Sequence, residues 1–390
     1  MSTLRAVTRA ALIASIATVT LACRRDAPRP DPVTPATAAE AEAFGQAMAK
    51  ALAPCDPAAV AALIDGNNLA RRAAHGRKAP PSAVKGMLKT ATSETMGANL
   101  CRDFDGHAVH ATYLRTRTTS GRSRPLVRLL VGVDLNYFEF EIGRIKGAGE
   151  VRAVDFLSFL SGELRSETIG RMLEVIPAAD TPTQAVADLR ALKQADALAS
   201  HDPAAARASF DKVSAEVRTS KFALRLDAAI AYGESEAAYL AAVDRFARAF
   251  PDDPALLLFS LDSFFLTEQY DRALAALDEL DRQVGGDPYL ETRRAAALRA
   301  LGRHADAVAA ARRCAKAEPT LEDCWSALLE AQDAAGDHAG VITTMGELQT
   351  RFAIEFAPEA MAADPAWAAF LASPEGQAWA DAAKKVAPVD

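Results

Sequence analysis

Two histidines of the N-terminal half have the type, though not the spacing, that metal binding requires. His107 and His110 are three positions apart, which on a β-strand places them on opposite faces and argues against a shared metal ion. We therefore expect surface or turn histidines and no metal site in this segment.

Four carboxylates of the same half could supply a pair for acid–base chemistry: Glu139, Glu141, Asp155 and Glu163. Glu139 and Glu141 alternate with the apolar run Phe138, Phe140 and Ile142, so they face away from the apolar interior. We expect these two side chains on a solvated sheet face rather than in an active site.

Five arginines surround a predicted hairpin that bends at Gly121: Arg115, Arg117, Arg122, Arg124 and Arg128. Such a cluster suits an acidic partner or lipid headgroups at a membrane surface. A plain solvated loop is the other interpretation that the pattern allows.

Composition and motifs exclude several other functions. The 390 residues carry a formal net charge of -7, half are hydrophobic and 24% are charged, which disfavours disordered, collagenous and nucleic-acid-binding classes. The sequence contains no GxSxG, HExxH, P-loop or GxGxxG motif, and no CxxC or Cys/His cluster that would suit zinc. We therefore predict that the protein is not an enzyme and needs neither cofactor nor metal.

The elements that must hold these residues form an α+β domain over 39–172. Residues 39 to about 102 have helical patterns, including Ala39 to Leu52 and Ser82 to Leu100, with Ser82 as the expected cap. Strand patterns follow over residues 109–113, 126–133, 138–142 and 151–160, with a turn at 146–149. Helices packed on one face of an antiparallel sheet are expected, and the order of elements resembles the cystatin-like or NTF2-like cones.

The C-terminal half contains an internal repeat. Gln269 to Leu274 recurs in form as Arg303 to Val308 and as Asp337 to Ile342, so equivalent positions return at one fixed interval, from 269 to 303 to 337. Stepping back from Ala307 by the same interval gives Ala273, Tyr239 and Ala205. A 34-residue period with two helical stretches per unit predicts stacked helical hairpins.

This pattern resembles the tetratricopeptide repeat family over residues 186–353, as five units. The family's small residue at the start of the second helix is matched by Ala205, Ala273 and Ala307, whereas its small residue in the first helix is replaced by Asp227. The resemblance implies a superhelix whose concave groove binds a protein or peptide. The family's groove positions carry over to Arg190, Lys221, Leu224, Tyr232, Leu258, Asp262, Phe265, Tyr289, Arg299, Ser326, Glu330 and Asp333.

Residues 354–390 are expected to cap the open end of the last hairpin with two more helices. Trp367, Phe370 and Trp379 would cover its apolar face. A docking patch for a partner is the alternative interpretation of these aromatic residues.

The first 22 residues look like an export signal. Arg5 and Arg9 precede an apolar stretch from Ala10 to Ala22, which is too short to span a bilayer. Thr20-Leu21-Ala22-Cys23 resembles the bacterial lipoprotein signal, although Thr20 replaces the family's usual Leu. The resemblance implies cleavage after residue 22, lipidation of Cys23 by acyl chains such as palmitate, and a Pro-rich tether over 23–38.

Cys23 set aside, four cysteines remain, an even number that suits an oxidising compartment. We expect the pairs Cys55 with Cys101 and Cys314 with Cys324, and reduced buried cysteines are the alternative. Arg24, rather than Asp, follows Cys23, which in the resembled family favours the outer membrane facing the periplasm.

Together these features predict a lipid-anchored adaptor or scaffold of the bacterial envelope that binds a protein or peptide. One alternative is a small-molecule-binding or hydrolytic α+β domain carried by the repeats. Another is a structural subunit of an envelope assembly complex. Residues 23–170 have a net charge of +4 and residues 171–390 of -13, which favours two physically distinct halves.

Overall fold

The computed structural model describes residues 29–102, 109–132, 134–145, 149–178 and 182–386. The chain divides into two compact units, Met1–Leu256 and Leu257–Asp390. The first unit contains a sheet and the helices that precede and follow it, and the second unit is helical. The expected N-terminal region of helices and antiparallel sheet, followed by a helical region, is therefore confirmed.

In the described part of the first unit the sheet has six strands: β1 (Val33–Pro35), β2 (Val109–Thr119), β3 (Arg122–Val131), β4 (Asp134–Ile145), β5 (Val151–Ser158) and β6 (Glu163–Leu164). Strands β2 to β6 lie in chain order and pair antiparallel, while β1 pairs with the end of β4. The described connections, from β2 to β3 and from β5 to β6, are short turns, as in a meander.

Between residues 29 and 102, five helices precede the second strand: α1 (Ala38–Leu52), α2 (Pro57–Leu63), α3 (Gly66–Ala74), α4 (Pro81–Thr90) and α5 (Ser93–Arg102). Helix α1 begins with a capping box between Thr37 and Glu40. The predicted helix from Ser82 is wrong in two respects. It begins at Pro81 without a side-chain cap, and it is interrupted after Thr90, so that two helices replace one.

The apolar core of the sheet domain lies between helix α1 and one face of the sheet. Phe44, Met48 and Leu52 of α1 are buried in the same cluster as Phe138 and Phe140 of β4. The rings of Phe44 and Phe140 meet edge to face with centroids 5.6 Å apart. This face is filled by large side chains, as the apolar alternation of β4 predicts.

Part of the predicted tether is bound to the sheet domain. Val33–Pro35 forms strand β1 on β4, and the Asp31 carboxylate lies 2.5 Å from the Arg71 guanidinium. Pro32 and Pro35 are compatible with this position because a short edge strand can lack amide donors. The tether expected over 23–38 is therefore anchored to the sheet domain from Asp31 onwards.

The remaining helices are α6 (Arg165–Ala178), α7 (Pro182–Leu198), α8 (Pro203–Phe210), α9 (Ala215–Arg218), α10 (Lys221–Glu234), α11 (Glu236–Ala249), α12 (Leu256–Leu266), α13 (Tyr270–Val284), α14 (Leu290–Ala300), α15 (His304–Ala317), α16 (Glu322–Ala334), α17 (His338–Phe352), α18 (Pro358–Ala362), α19 (Ala368–Ala372) and α20 (Pro374–Val386). None of the helices within the described residues is both long and apolar enough to cross a membrane.

Five of these helices begin at regular intervals. The residues that cap α8, α11, α13, α15 and α17 are Asp202, Ser235, Gln269, Arg303 and Asp337, so the first interval is one position shorter than the three equal intervals that follow. Tyr239, Ala273, Ala307 and Val341 each donate their amide to the cap carbonyl four positions before, and all four are buried. In α8 the residue in this position is Ala206, so the expected equivalence of Ala205 is wrong by one position.

The turns that precede three of these helices in the second unit share one backbone geometry. Glu268, Gly302 and Gly336, which are equivalent positions of successive repeats, have φ of 57°, 71° and 68°. The next residue donates its amide five positions back in each case, from Gln269 to Phe264, Arg303 to Leu298 and Asp337 to Gln332, at 2.8 to 2.9 Å. This is the Schellman pattern of helix ends, repeated at the period read from the sequence.

Two disulfides connect elements within the units. Cys55, after α1, is bonded to Cys101 in α5 of the first unit. Cys314 in the last turn of α15 is bonded to Cys324 in the first turn of α16 of the second unit. Both predicted pairings are confirmed.

The C-terminal aromatic residues pack together in the second unit. Phe370 is fully buried, and its ring meets those of Trp367 and Trp379 at centroid distances of 6.2 and 5.8 Å. The same cluster includes Val341 and Leu348 of α17. These side chains therefore cover the last hairpin, and Trp367 and Trp379 remain partly exposed.

Candidate functional site

The face of the sheet opposite the apolar core carries charged residues that pair with one another. Glu139 lies on β4 between two arginines, with Arg117 at 2.9 Å and Arg124 at 3.3 Å. Arg124 also contacts Glu141 at 2.6 Å, and Glu141 in turn contacts Arg72 of α3 at 2.6 Å. Positive and negative side chains thus alternate across three strands and a helix.

The expectation that Glu139 and Glu141 are solvated is wrong. The Glu139 side chain is only 5% exposed and that of Glu141 13%. Strand alternation correctly placed them away from the apolar core. Arginine side chains from neighbouring strands and from α3 cover them, so the carboxylates are buried as ion pairs.

Part of the predicted arginine cluster belongs to this network. Arg117 and Arg124 pair with glutamates, and Arg128 is fully buried and donates to the Thr112 hydroxyl at 3.1 Å. Arg122 is exposed at the end of the hairpin. The arrangement does not match either sequence interpretation, a free basic surface or a plain solvated loop.

Asp155 of β5 ends the charged network in a cleft of about 380 Å³. Its carboxylate accepts hydrogen bonds from the Ser166 hydroxyl at 2.5 Å, the Ser166 amide at 3.1 Å and the Phe156 amide at 3.0 Å. Arg72 lies 3.8 Å away. The cleft is lined by Arg72, His75, Gly76, Arg77, Asp155, Leu164, Ser166, Glu167 and Glu174.

Burial raises the pKa of Asp155 to about 6, against the opposing effects of the Ser166 hydrogen bonds and the Arg72 charge. The carboxylate also accepts the Ser166 amide in the first turn of α6, so it satisfies an amide that the helix leaves without a partner. The geometry supports helix capping, with a carboxyl group that changes charge near pH 6.

A second buried cluster joins the sheet domain to the helices that follow it in the first unit. Lys221 of α10, predicted to line the groove, is 6% exposed and lies 2.5 Å from Asp253 and 3.5 Å from Glu163. Glu163 also accepts hydrogen bonds from Thr168 and Arg171. Lys221 is therefore a structural ion-pair residue rather than a groove residue.

Asp227 occupies a position where the expected repeat has a small residue. It is 5% exposed, and its two oxygens lie 2.6 Å from Arg207 of α8 and 2.5 Å from Arg245 of α11. A buried carboxylate held by two arginines connects three helices of the first unit. The substitution is thus accompanied by compensating charges.

The other predicted groove residues differ in exposure. Arg190, Tyr232, Asp262 and Glu330 are exposed, whereas Leu224, Phe265, Arg299, Ser326 and Asp333 are half-buried. Leu258 and Tyr289 are buried and cannot line an open groove as expected. Among the predicted groove residues, Arg299 and Glu330 lie in direct contact, at 2.9 Å.

Within the described residues, no group of three or more His, Cys, Asp or Glu side chains is placed so that it could hold a metal ion. His110 lies on β2, while His107 falls outside the described part of the chain, as do Cys23 and the predicted signal over 1–22. The sequence interpretation missed Arg72 and Ser166. One signal was available in the sequence. Arg115 and Arg117 are two positions apart, as are Arg122 and Arg124, and as are Glu139 and Glu141. Residues at this spacing share a face of a strand, so the pattern indicates paired charges on one face of the sheet.

No protein-family model matches this chain, and neither a curated protein nor a solved structure is significantly similar to it. Its function is therefore inferred from its own geometry.

Proposed function

We propose that the protein is a membrane-anchored adaptor whose helical hairpins, of tetratricopeptide type, bind a protein or peptide in the bacterial envelope. The observation that supports this most directly is the recurrence of one turn geometry at Glu268, Gly302 and Gly336, at the period of the sequence repeat. Equivalent hairpins with equivalent turns are what a stacked repeat requires, and stacked repeats commonly present an extended binding surface.

The groove proposed for this adaptor is smaller than the sequence predicts. Lys221, Leu258 and Tyr289 are buried within the fold. The exposed and half-buried positions of the second unit, among them Phe265, Arg299 and Glu330, remain as the proposed partner surface.

The proposed anchor is a lipid on Cys23, in the outer membrane and facing the periplasm. The two disulfides support an oxidising compartment, because disulfides persist outside the cytoplasm. Several acyl chains on one residue, at roughly 0.8 kcal/mol for each buried methylene group, would make attachment effectively permanent.

Crosslinked pull-down of the intact lipoprotein, beside a Cys23→Ala form, tests location and partner together. We expect one envelope protein to be captured by the intact form at the membrane, and a soluble, mislocalised Cys23→Ala protein. Failure of the intact form to enrich any protein would contradict the adaptor role. Stable co-purification with a membrane complex in mild detergent would instead support a structural subunit.

A second candidate function, small-molecule binding or hydrolysis by the sheet domain, is favoured by the cleft at Asp155. A carboxyl group with a pKa of about 6 beside a serine hydroxyl has the components of an acid–base pair. Substitution of Ser166 by Ala tests it, since an active site would lose turnover or ligand binding in a metabolite screen while partner capture persists.

A further inference from the structure

A stretch of the first unit carries positive charge without any negative charge. Residues 66–93, which span α3 and α4, contain six Lys or Arg residues and no Asp or Glu. Carboxylates of other elements pair with half of these cations, and the pairs are Arg71 with Asp31, Arg72 with Glu141 and Arg77 with Glu174. The three cations that remain are all lysines.

These lysines are Lys78, Lys85 and Lys89, which we call the lysine surface. All three side chains are exposed, and among the described residues no carboxylate lies within ion-pair distance of them. Lys85 and Lys89 stand one turn apart on α4, so they share one side of that helix. The charge of the lysine surface is uncompensated, which makes the surface attractive to an anionic one.

The other side of α4 holds the helix on the sheet domain. Val84, Met87 and Leu88 are half-buried, and α4 packs against α3 and α6. None of the ten residues of α4 is fully buried. The helix therefore packs through one apolar side and leaves its basic side without a protein partner among the described residues.

The chain that leads from Cys23 joins the sheet domain beside this helix. The Asp31 carboxylate lies 2.5 Å from the Arg71 guanidinium, and the Asp31 amide donates to the Asn68 side chain at 3.1 Å. Both partners belong to α3, which packs against α4. Asp31 follows Cys23 by only eight positions, so a lipid on Cys23 would hold α3, and α4 beside it, close to the bilayer.

The sequence between Cys23 and Asp31 has the same sign of charge, with three cations and one anion: Arg24, Arg25, Arg29 and Asp26. Each lysine or arginine near an anionic membrane strengthens binding by about fivefold. This attraction decays over a screening length of about 8 Å at physiological ionic strength. Only cations that are brought to the membrane therefore contribute, and the tether brings α4 there.

We propose that the lysine surface docks on anionic phospholipids of the bilayer that holds the Cys23 lipid, so that the sheet domain lies on the membrane with α4 against it. Charge complementarity and the junction of the tether with α3 both favour a lipid surface, whereas an acidic protein segment would not need the tether. This inference rests on the lipid anchor proposed above and adds a defined orientation of the sheet domain.

The test uses the intact lipoprotein in vesicles of phosphatidylcholine, either alone or mixed with phosphatidylglycerol, and measures the acetylation rate of each lysine by mass spectrometry. We expect the lysine surface to react about fivefold or more slowly in the anionic vesicles. Lys193, Lys212 and Lys316 are exposed references whose rates should change by less than about twofold. At about 1 M salt, where the screening length is about 3 Å, the difference should disappear.

A double variant, Lys78→Gln/Lys89→Gln, leaves Lys85 as the reporter. The protection of Lys85 by anionic vesicles should fall below about twofold, because two of the three cations are lost. Lys193→Gln/Lys316→Gln is the matched control, since it removes the same charge from exposed positions elsewhere. In this control the protection of Lys85 should stay at about fivefold.

Several outcomes would overturn the docking. These are equal acetylation of the lysine surface in the two kinds of vesicle, equal protection of the reference lysines, or full protection of Lys85 in the double variant. Slow acetylation of the lysine surface that is the same in neutral and anionic vesicles would also overturn it, because an acidic protein segment would then cover these lysines.

Flotation of the vesicles separates this inference from the proposed anchor. If the protein floats with both kinds of vesicle and its lysine surface is not protected, the Cys23 anchor stands and the docking is wrong. If the protein floats with neither kind, the anchor itself is wrong, and the docking that depends on it fails too.

Discussion

The carboxyl group of Asp155 should make the stability of the folded protein depend on pH. Its pKa is raised to about 6 in the folded protein by burial, so the folded state holds this proton more tightly than the unfolded chain does. The contribution of Asp155 to stability is therefore fully present at acid pH. It is lost as pH rises from about 4 to about 6, between the unfolded and folded pKa values.

Asp155→Asn should remove this dependence, because an amide keeps the shape and an acceptor for the Ser166 amide but does not titrate. The unfolding free energy of wild type minus that of the variant should fall by about 2–3 kcal/mol between pH 4 and pH 7. Urea unfolding at several pH values measures the difference. A difference that is flat with pH, or that grows towards pH 7, would contradict a raised pKa.

Glu139 tests whether the charged sheet face is buried. Glu139→Ala should cost roughly 2–4 kcal/mol of unfolding free energy, because it leaves Arg117 without its carboxylate and removes one of the two carboxylates that Arg124 contacts. Glu150, whose side chain is 78% exposed beside Arg152, is the control, and Glu150→Ala should change stability by no more than about 0.5 kcal/mol. Equal losses of unfolding free energy in the two variants would instead support the solvated sheet face expected from strand alternation.

At the scale of elements, the repeated turns predict the effect of a glycine substitution. Glu268 adopts the left-handed conformation that glycine occupies at 302 and 336. Glu268→Gly should raise the unfolding free energy by up to about 1 kcal/mol, because glycine has no Cβ to strain at positive φ.

The converse change and a neighbour provide the controls for this turn. Gly302→Ala should destabilise the protein by about 1 kcal/mol, since alanine would take the strained conformation. Thr267→Gly, one position before Glu268, should also be destabilising, because Thr267 does not have a positive φ. Thermal unfolding of the three variants measures the order of their stabilities. Stabilisation by Gly302→Ala would contradict the shared turn geometry.

The two disulfides should differ in what they contribute. The bond between Cys55 and Cys101 closes 46 residues and that between Cys314 and Cys324 closes 10. Chain entropy then predicts losses of about 4 and about 2.7 kcal/mol for the paired Cys→Ala variants. Denaturant unfolding should show the larger loss of unfolding free energy in the first unit and the smaller loss in the second. A larger loss from removing the bond between Cys314 and Cys324 would count against an entropic origin.

At the scale of the whole molecule, local patterns predicted the order of helices and strands, the hairpin period and both disulfide pairs. They did not predict the charged face of the sheet. Glu141 is held by Arg72, which is 69 residues away in sequence, and no local pattern reveals that contact. The same holds for Lys221, whose burial depends on Glu163 and Asp253 from other elements.

The position of β1 limits how far the sheet domain could lie from the lipid proposed on Cys23. Asp31 is held by Arg71 and lies eight positions after Cys23. A fully extended chain of eight residues spans at most about 29 Å. If Cys23 carries the proposed lipid, the distance between that lipid and Asp31 of the sheet domain is shorter than the thickness of one bilayer with its headgroups. Any partner of that domain must then come close to the lipid surface to meet it.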